Sequence, residues 1–166
     1  MEKAHQNYNQ AKLKAANYCV YQDRTQKQVR EKLENLGVSP HEGEQIIAEL
    51  IQDNFINEER FAKSYAHGKF SNNKWGKVKI KHGLEGHQLS PYCVKKGLEN
   101  INQEEYINTL HGLAINKMRT IEETHYYKKY QKIKQFLLRK GYENDLIEEI
   151  LQPLLKENQE NRNQAE

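Results

Sequence analysis

Lys74, Trp75, Lys77, Lys79 and Lys81 crowd four like charges and the only tryptophan into eight residues around Gly76. Ammonium groups at that density suit a polyanion or an acidic protein surface, and the indole offers a flat face beside them. A second set, Tyr126, Tyr127, Lys128, Lys129 and Tyr130, mixes rings that can stack on bases or sugars with lysines that can neutralise phosphates. The competing reading of both sets is structural: lysines that solvate helix faces, and tyrosines of which two pack and one is exposed.

Other residue types that could do chemistry do not assemble. Glu58 and Glu59 are adjacent, so on a helix they point to different faces and make no acid/base couple. His82, His87 and Cys93 are close in sequence, but a five-residue spacing is a poor helical pair and a fourth ligand is missing. His5, His41, His67, His111 and His125 are scattered, and there is no glycine-rich phosphate loop. Cys19 and Cys93 are too few for a disulfide framework or a zinc knuckle and read as reduced, small core residues of a cytoplasmic protein. No catalytic residue, metal or cofactor is therefore expected.

The elements that must position the basic residues come from a thin-cored chain. Its 166 residues are 36 % hydrophobic and 30 % charged, with mean hydropathy −1.04 and net charge +3. The charge is uneven: eight lysines between positions 63 and 96 face only Glu85, and eight basic residues between 117 and 140 face Glu122 and Glu123. Residues 42–59 and those after Tyr142 are acidic. No apolar run is long enough to span a membrane, and the polar first ten residues lack the apolar core of a signal peptide.

A pattern recurs three times. Val29, Leu33 and Val38 precede Ile47 and Leu50; Ile80, Leu84 and Leu89 precede Leu98 and Ile101; Ile133, Leu137 and Tyr142 precede Leu151 and Leu154. A repeat of about fifty residues means one supersecondary unit used three times. Thr25 with Gln28 predicts a capping box, Gly37 a left-handed helix end, and Ser39-Pro40 with Glu42 a second helix start. Ser90-Pro91 repeats that start, and Gly141 repeats the helix end. A helix precedes each pair, at about 11–23 with Leu13, Ala16 and Val20 inward, at about 57–70, and at about 104–118 with Ile107, Leu110, Ala114 and Met118 inward. The divisions are 1–54, 55–103 and 104–156, with 157–166 a frayed polar tail. The third helices carry Glu49, Glu99 and Glu148, which disfavours base reading by all three units.

The segments F-I-N-E-E-R-F-A at 55–62 and W-G-K-V-K-I at 75–80 are the most specific in the chain. Together with R-T-x-x-Q-V-x-x-K-L at 24–33, Leu36-Gly37 and R-K-G-Y at 139–142, they resemble the RecX family, bacterial regulators of the RecA recombinase, over about residues 16–155. The chain departs from the family pattern at 83–89, where two glycines leave the extent of the middle helix open.

The resemblance implies an all-α protein of three tandem three-helix, homeodomain-like or helix-turn-helix-like repeats in an elongated, curved array. It implies a monomer that binds the RecA–DNA filament, modulates RecA ATP hydrolysis and strand exchange in recombination, repair and the SOS response, and has no catalytic centre. Single- and double-stranded DNA are further partners. The contacts are expected from Lys74, Trp75, Lys77, Lys79, Lys81, Lys128, Lys129, Arg139 and Lys140. The alternative is a stand-alone nucleic-acid-binding helical-repeat protein, whose affinity for DNA alone would fall steeply with salt.

Overall fold

Most of the apolar positions that recur lose contact with water; Val38, Leu98 and Leu154 stay partly exposed. Val29, Ile80 and Ile133 are fully buried, as are Leu84, Leu137, Leu50 and Leu151, while Leu33 is 1 % exposed. Each such side chain contributes about 1.5–3 kcal/mol by leaving water. The structure, a computed structural model, describes the backbone of residues 2–163 and the side-chain surroundings of residues 7–157. Among the described residues there are nine helices and no strand: α1 (Glu2–Tyr21), α2 (Gln26–Asn35), α3 (Pro40–Gln52), α4 (Glu58–Asn73), α5 (Lys77–Gly86), α6 (Pro91–Glu99), α7 (Gln103–Thr120), α8 (Tyr126–Lys140) and α9 (Asn144–Asn163).

Local chemistry sets the helix ends. Gln28 N–H donates to Thr25 Oγ1 at 3.2 Å and Thr25 N–H donates to Gln28 Oε1 at 3.1 Å, closing the capping box. Gly37 is left-handed, φ 76°, and Val38 N–H returns to Leu33 O at 3.1 Å. Arg60 N–H donates to Asn57 Oδ1 at 2.9 Å, and Glu105 N–H to Asn102 Oδ1 at 2.9 Å, so both asparagines are N-caps. The second expected box differs: Ser39 accepts the Glu42 N–H, but the Glu42 carboxylate takes the Ser39 hydroxyl at 2.7 Å rather than its backbone N–H. α5 forms through Gly83 to Gly86 because Ile80 and Leu84 are fully buried along one face.

Contacts gather the described residues into two compact units, those up to 65 with 84–97 (unit 1) and 66–83 with those from 98 onward (unit 2). The repeat divides the sequence in three, but α4, α5 and α6 each give one end to either unit. In unit 1, Ala11, Ala15 and Cys19 of α1 pack with Val29, Leu33, Ile46, Ile47, Leu50 and Ile56. The inward face of α1 is thus not the expected one: Leu13 and Val20 are 62 % and 71 % exposed. Small side chains let α1 approach α2 and α3, and a leucine there would not fit. Gly97 serves a similar approach, since a Cβ on it would lie 2.8 Å from the Ala62 carbonyl oxygen.

In unit 2, Phe70 and Ile80 are buried along with Tyr106, Leu110, Ala114 and Met118 of α7 and Ile133, Leu137, Ile147 and Leu151 of α8 and α9. Tyr106 replaces the expected Ile107, which is 37 % exposed. α9 continues through residues 157–163, expected as a frayed tail, and residues 164–166 lie outside the described residues.

The reassigned face of α1 makes a direct prediction. Leu13→Ala should change unfolding free energy by less than about 0.5 kcal/mol, whereas Ala15→Leu should cost about 1–3 kcal/mol by overpacking, both read from urea melts.

Candidate polyanion-binding corner

α4 ends at Asn73 and the chain must turn at once into α5. Lys74 makes that turn in the left-handed region, φ 54°, while its N–H and that of Trp75 return to Phe70 O (2.9 Å) and Lys69 O (3.2 Å). Left-handed backbone suits glycine or asparagine, so a lysine here is strained by about 1 kcal/mol. The next three N–H groups, from Gly76, Lys77 and Val78, are donated to Lys140 O (2.8 Å), Tyr106 Oη (2.8 Å) and Gly141 O (3.0 Å). They fasten the α4–α5 turn onto the end of α8 within unit 2. They also occupy the first N–H groups of α5, leaving side chains to meet an anion.

The fastening needs two glycines. A Cβ on Gly76 would overlap the Gly141 carbonyl, and one on Gly141 would overlap Lys79. Gly141 also ends α8 in the left-handed region at φ 92°. Each glycine is needed at its place, one for approach and one for approach and conformation together.

Two of the predicted segments, 74–79 and 139–140, are therefore brought together. Lys79 Nζ donates to Arg139 O at 3.4 Å and Lys140 Nζ to Asn73 O at 3.1 Å, so Lys79 caps the negative end of α8 and Lys140 that of α4. Lys77 Nζ donates to Gln103 Oε1 at 2.7 Å and lies 4.7 Å from the Tyr106 ring centre. Trp75 is half-buried between the ammonium groups of Lys69 and Lys79, at 4.9 and 4.5 Å. Tyr142 O–H reaches Lys74 O at 3.3 Å. Lys77, Lys79 and Lys140 thus have defined seats.

Those seats are all neutral. Among the described residues, Lys74, Lys77, Lys79, Arg139 and Lys140 enter no ion pair: the Lys77, Lys79 and Lys140 ammonium groups meet carbonyl oxygens, an amide and ring faces, and the Lys74 and Arg139 side chains are exposed. Unit 1 behaves oppositely. There Arg60 meets Asp23 at 2.7 Å, Lys63 meets Glu59 at 2.6 Å, and Lys12 and Arg30 are matched with Glu49 and Glu44. The pairing holds the Glu44, Glu49 and Glu59 carboxyls below their usual range, chiefly through those hydrogen bonds. The corner thus keeps a charge that unit 1 neutralises.

The remaining predicted residues fall elsewhere. Lys81 is exposed on α5, one turn beyond Lys77. Lys128 and the exposed Tyr126 and Tyr127 start α8, about 16 Å along that helix from Arg139. Lys129 is only 6 % exposed, so its place at the fourth position of α8 turns it inward and takes it off the predicted surface. His87 lies edge-on to the Phe61 and Tyr65 rings, 5.0 and 5.4 Å away. Among the described residues no three His, Cys, Asp or Glu side chains are grouped to hold a metal. Burial pushes the Cys19 thiol up, away from the thiolate that reacts. Sequence reasoning missed Tyr106, Glu143 and Gln103, which support the corner from α7 and the start of α9.

Gly76→Ala should lower unfolding free energy by about 3 kcal/mol, because backbone faces backbone and neither side can give way. Gly112→Ala, with nothing near its Cβ position, is the control and should be neutral or stabilising in the same melt.

Family models for the first, second and third three-helix domains of RecX match residues 11–50, 57–98 and 103–151. The regulatory protein RecX of Clostridium acetobutylicum is 31 % identical over 156 residues, covering 92 % of this chain and 72 % of that protein. That of Bacillus cytotoxicus is 26 % identical over 154 residues, and there the chain spans 57 % of the relative's length. The crystal structure of RecX from Lactobacillus salivarius superposes with a TM-score of 0.83 at 29 % identity, covering 90 % of this chain and 97 % of that one. A second RecX crystal structure, 21 % identical with a TM-score of 0.79, shares the fold. Among the described residues no helix is long and apolar enough to cross a membrane.

Proposed function

This chain belongs to the RecX family of regulatory proteins, and from that membership we propose that it binds the RecA–DNA filament and restrains RecA ATP hydrolysis and strand exchange. It acts as a cytoplasmic monomer without a catalytic centre, in recombination, repair and the SOS response. The observation that carries the reading is the corner at Lys74, Lys77, Lys79, Arg139 and Lys140: five cations without carboxylates, of which Lys77, Lys79 and Lys140 are held in place by neutral groups. A surface of that kind attracts phosphate or acidic side chains without first having to break an ion pair.

The test is a titration of RecA's single-strand-dependent ATPase. Inhibition should be complete well below one chain per RecA protomer, and no effect at equimolar protein would overturn the reading. A Lys74→Glu, Lys77→Glu, Lys79→Glu chain should stay folded and inhibit weakly.

Lys74 separates function from stability. Lys74→Gly should raise unfolding free energy by about 0.5–1 kcal/mol by relieving the left-handed turn, yet weaken inhibition by removing the corner's most exposed ammonium.

The exposed Tyr126 and Tyr127 beside Lys128 favour a second reading, in which the chain binds single-stranded DNA by itself. Tight binding to DNA alone with a steep salt dependence would select it over filament binding.

A further inference from the structure

Tyr106 is completely buried, yet its hydroxyl makes two hydrogen bonds. It accepts the Lys77 N–H at 2.8 Å and donates to Glu143 Oε2 at 2.6 Å. Its ring is fixed between Phe70 (5.7 Å) and Tyr142 (5.0 Å). Burial first, then the Glu143 hydrogen bond, push its ionisation far above the usual tyrosine range, so the group is a neutral hydroxyl at any physiological pH. A neutral hydroxyl has one proton to direct. Glu143 takes that proton and leaves a lone pair facing Lys77.

We propose that Tyr106 and Glu143 are positioning residues for the basic corner: Glu143 orients the Tyr106 hydroxyl, and the hydroxyl fixes the first turn of α5 and with it the directions of Lys77 and Lys79. This rests on the corner being the binding surface. Of the three consecutive N–H groups that fasten the turn, those of Gly76 and Val78 go to backbone carbonyls and only that of Lys77 goes to a side chain. The hydroxyl is thus the part of the fastening that sequence can alter without touching the backbone.

The repeat supports the assignment. Gln26 opens α2 as Lys77 opens α5, and its N–H is also accepted by the first helix of the following repeat, at Glu58 Oε1, 3.0 Å. In unit 1 the carboxylate takes the N–H directly. In unit 2 a tyrosine stands between, so the carboxylate is second in line and Lys77's own ammonium goes to Gln103 instead. The same backbone duty is met, and Lys77 enters no ion pair with the carboxylate.

The test compares Tyr106→Phe, Glu143→Gln and Glu143→Ala in the full chain. Three readouts are taken: hydrogen exchange at the Lys77 N–H against core amides such as Leu151, emission of the sole tryptophan, and inhibition of RecA ATPase. Tyr106→Phe keeps the ring and should raise Lys77 exchange at least about tenfold over the core amides, shift Trp75 emission, and weaken inhibition about tenfold. Glu143→Gln retains an acceptor oxygen and should resemble the parent, while Glu143→Ala should resemble Tyr106→Phe. Unchanged Lys77 exchange and inhibition in Tyr106→Phe would overturn the proposal. So would protection lost evenly across unit 2, which would mark a general packing role. If the parent chain has no effect on RecA, the filament reading fails by itself, and Lys77 exchange with Trp75 emission still decides whether the pair sets the turn.

Discussion

The close approach of Gly76 to Gly141 is the constraint on which the basic corner of this protein depends. Two backbone segments far apart in sequence come within a distance that forbids a Cβ on either, and carbonyls at the end of α8 accept N–H groups from the start of α5. An N–H buried without an acceptor costs about 1–3 kcal/mol, so the bonds are strongly specified once the segments meet. The lysines follow. Lys79 lies over the end of α8 and Lys140 over the end of α4 because the glycines have brought the α4–α5 turn against α8.

Charge is distributed by the same logic. A helix C-terminus carries partial negative charge, and a lysine that caps it gains a modest, screened interaction without losing its formal charge. A lysine in an ion pair is locally neutralised. Unit 1 uses ion pairs on its surface, and unit 2 has them too, Lys132 with Glu123 and Lys134 with Glu148, but at its corner it uses helix ends, ring faces and an amide. The net charge of +3 understates what a partner of unit 2 would meet, because the charge that matters is local and uncompensated. Trp75 meets the Lys69 and Lys79 ammonium groups with its ring.

Much of the fold was legible because the threefold recurrence of Val29, Ile80 and Ile133 and their companions reports burial directly. Caps at Thr25 and Gly37 were legible because their chemistry is local. What was not legible is non-local. The inward face of α1 was misread because alanines at 11 and 15 carry little hydropathy signal, and close helix approach selects small residues rather than large ones. Of the candidate site, the basic residues were visible by type. Their union was not, because nothing in the sequence says that Gly76 meets Gly141. Lys129 was misplaced because a lysine within a basic run gives no sign of facing inward. Tyr106 and Glu143 were overlooked because single residues in different helices form a relay only after folding.

Lysine acetylation footprinting on the RecA–DNA filament tests most directly whether the corner is one binding surface. Lys74, Lys77, Lys79 and Lys140 should be protected together when the filament is present, while Lys12 and Lys63 of unit 1, already matched with carboxylates, should react as they do in the free chain. Protection confined to lysines of unit 1, or falling on segment 74–79 without Lys140, would contradict it.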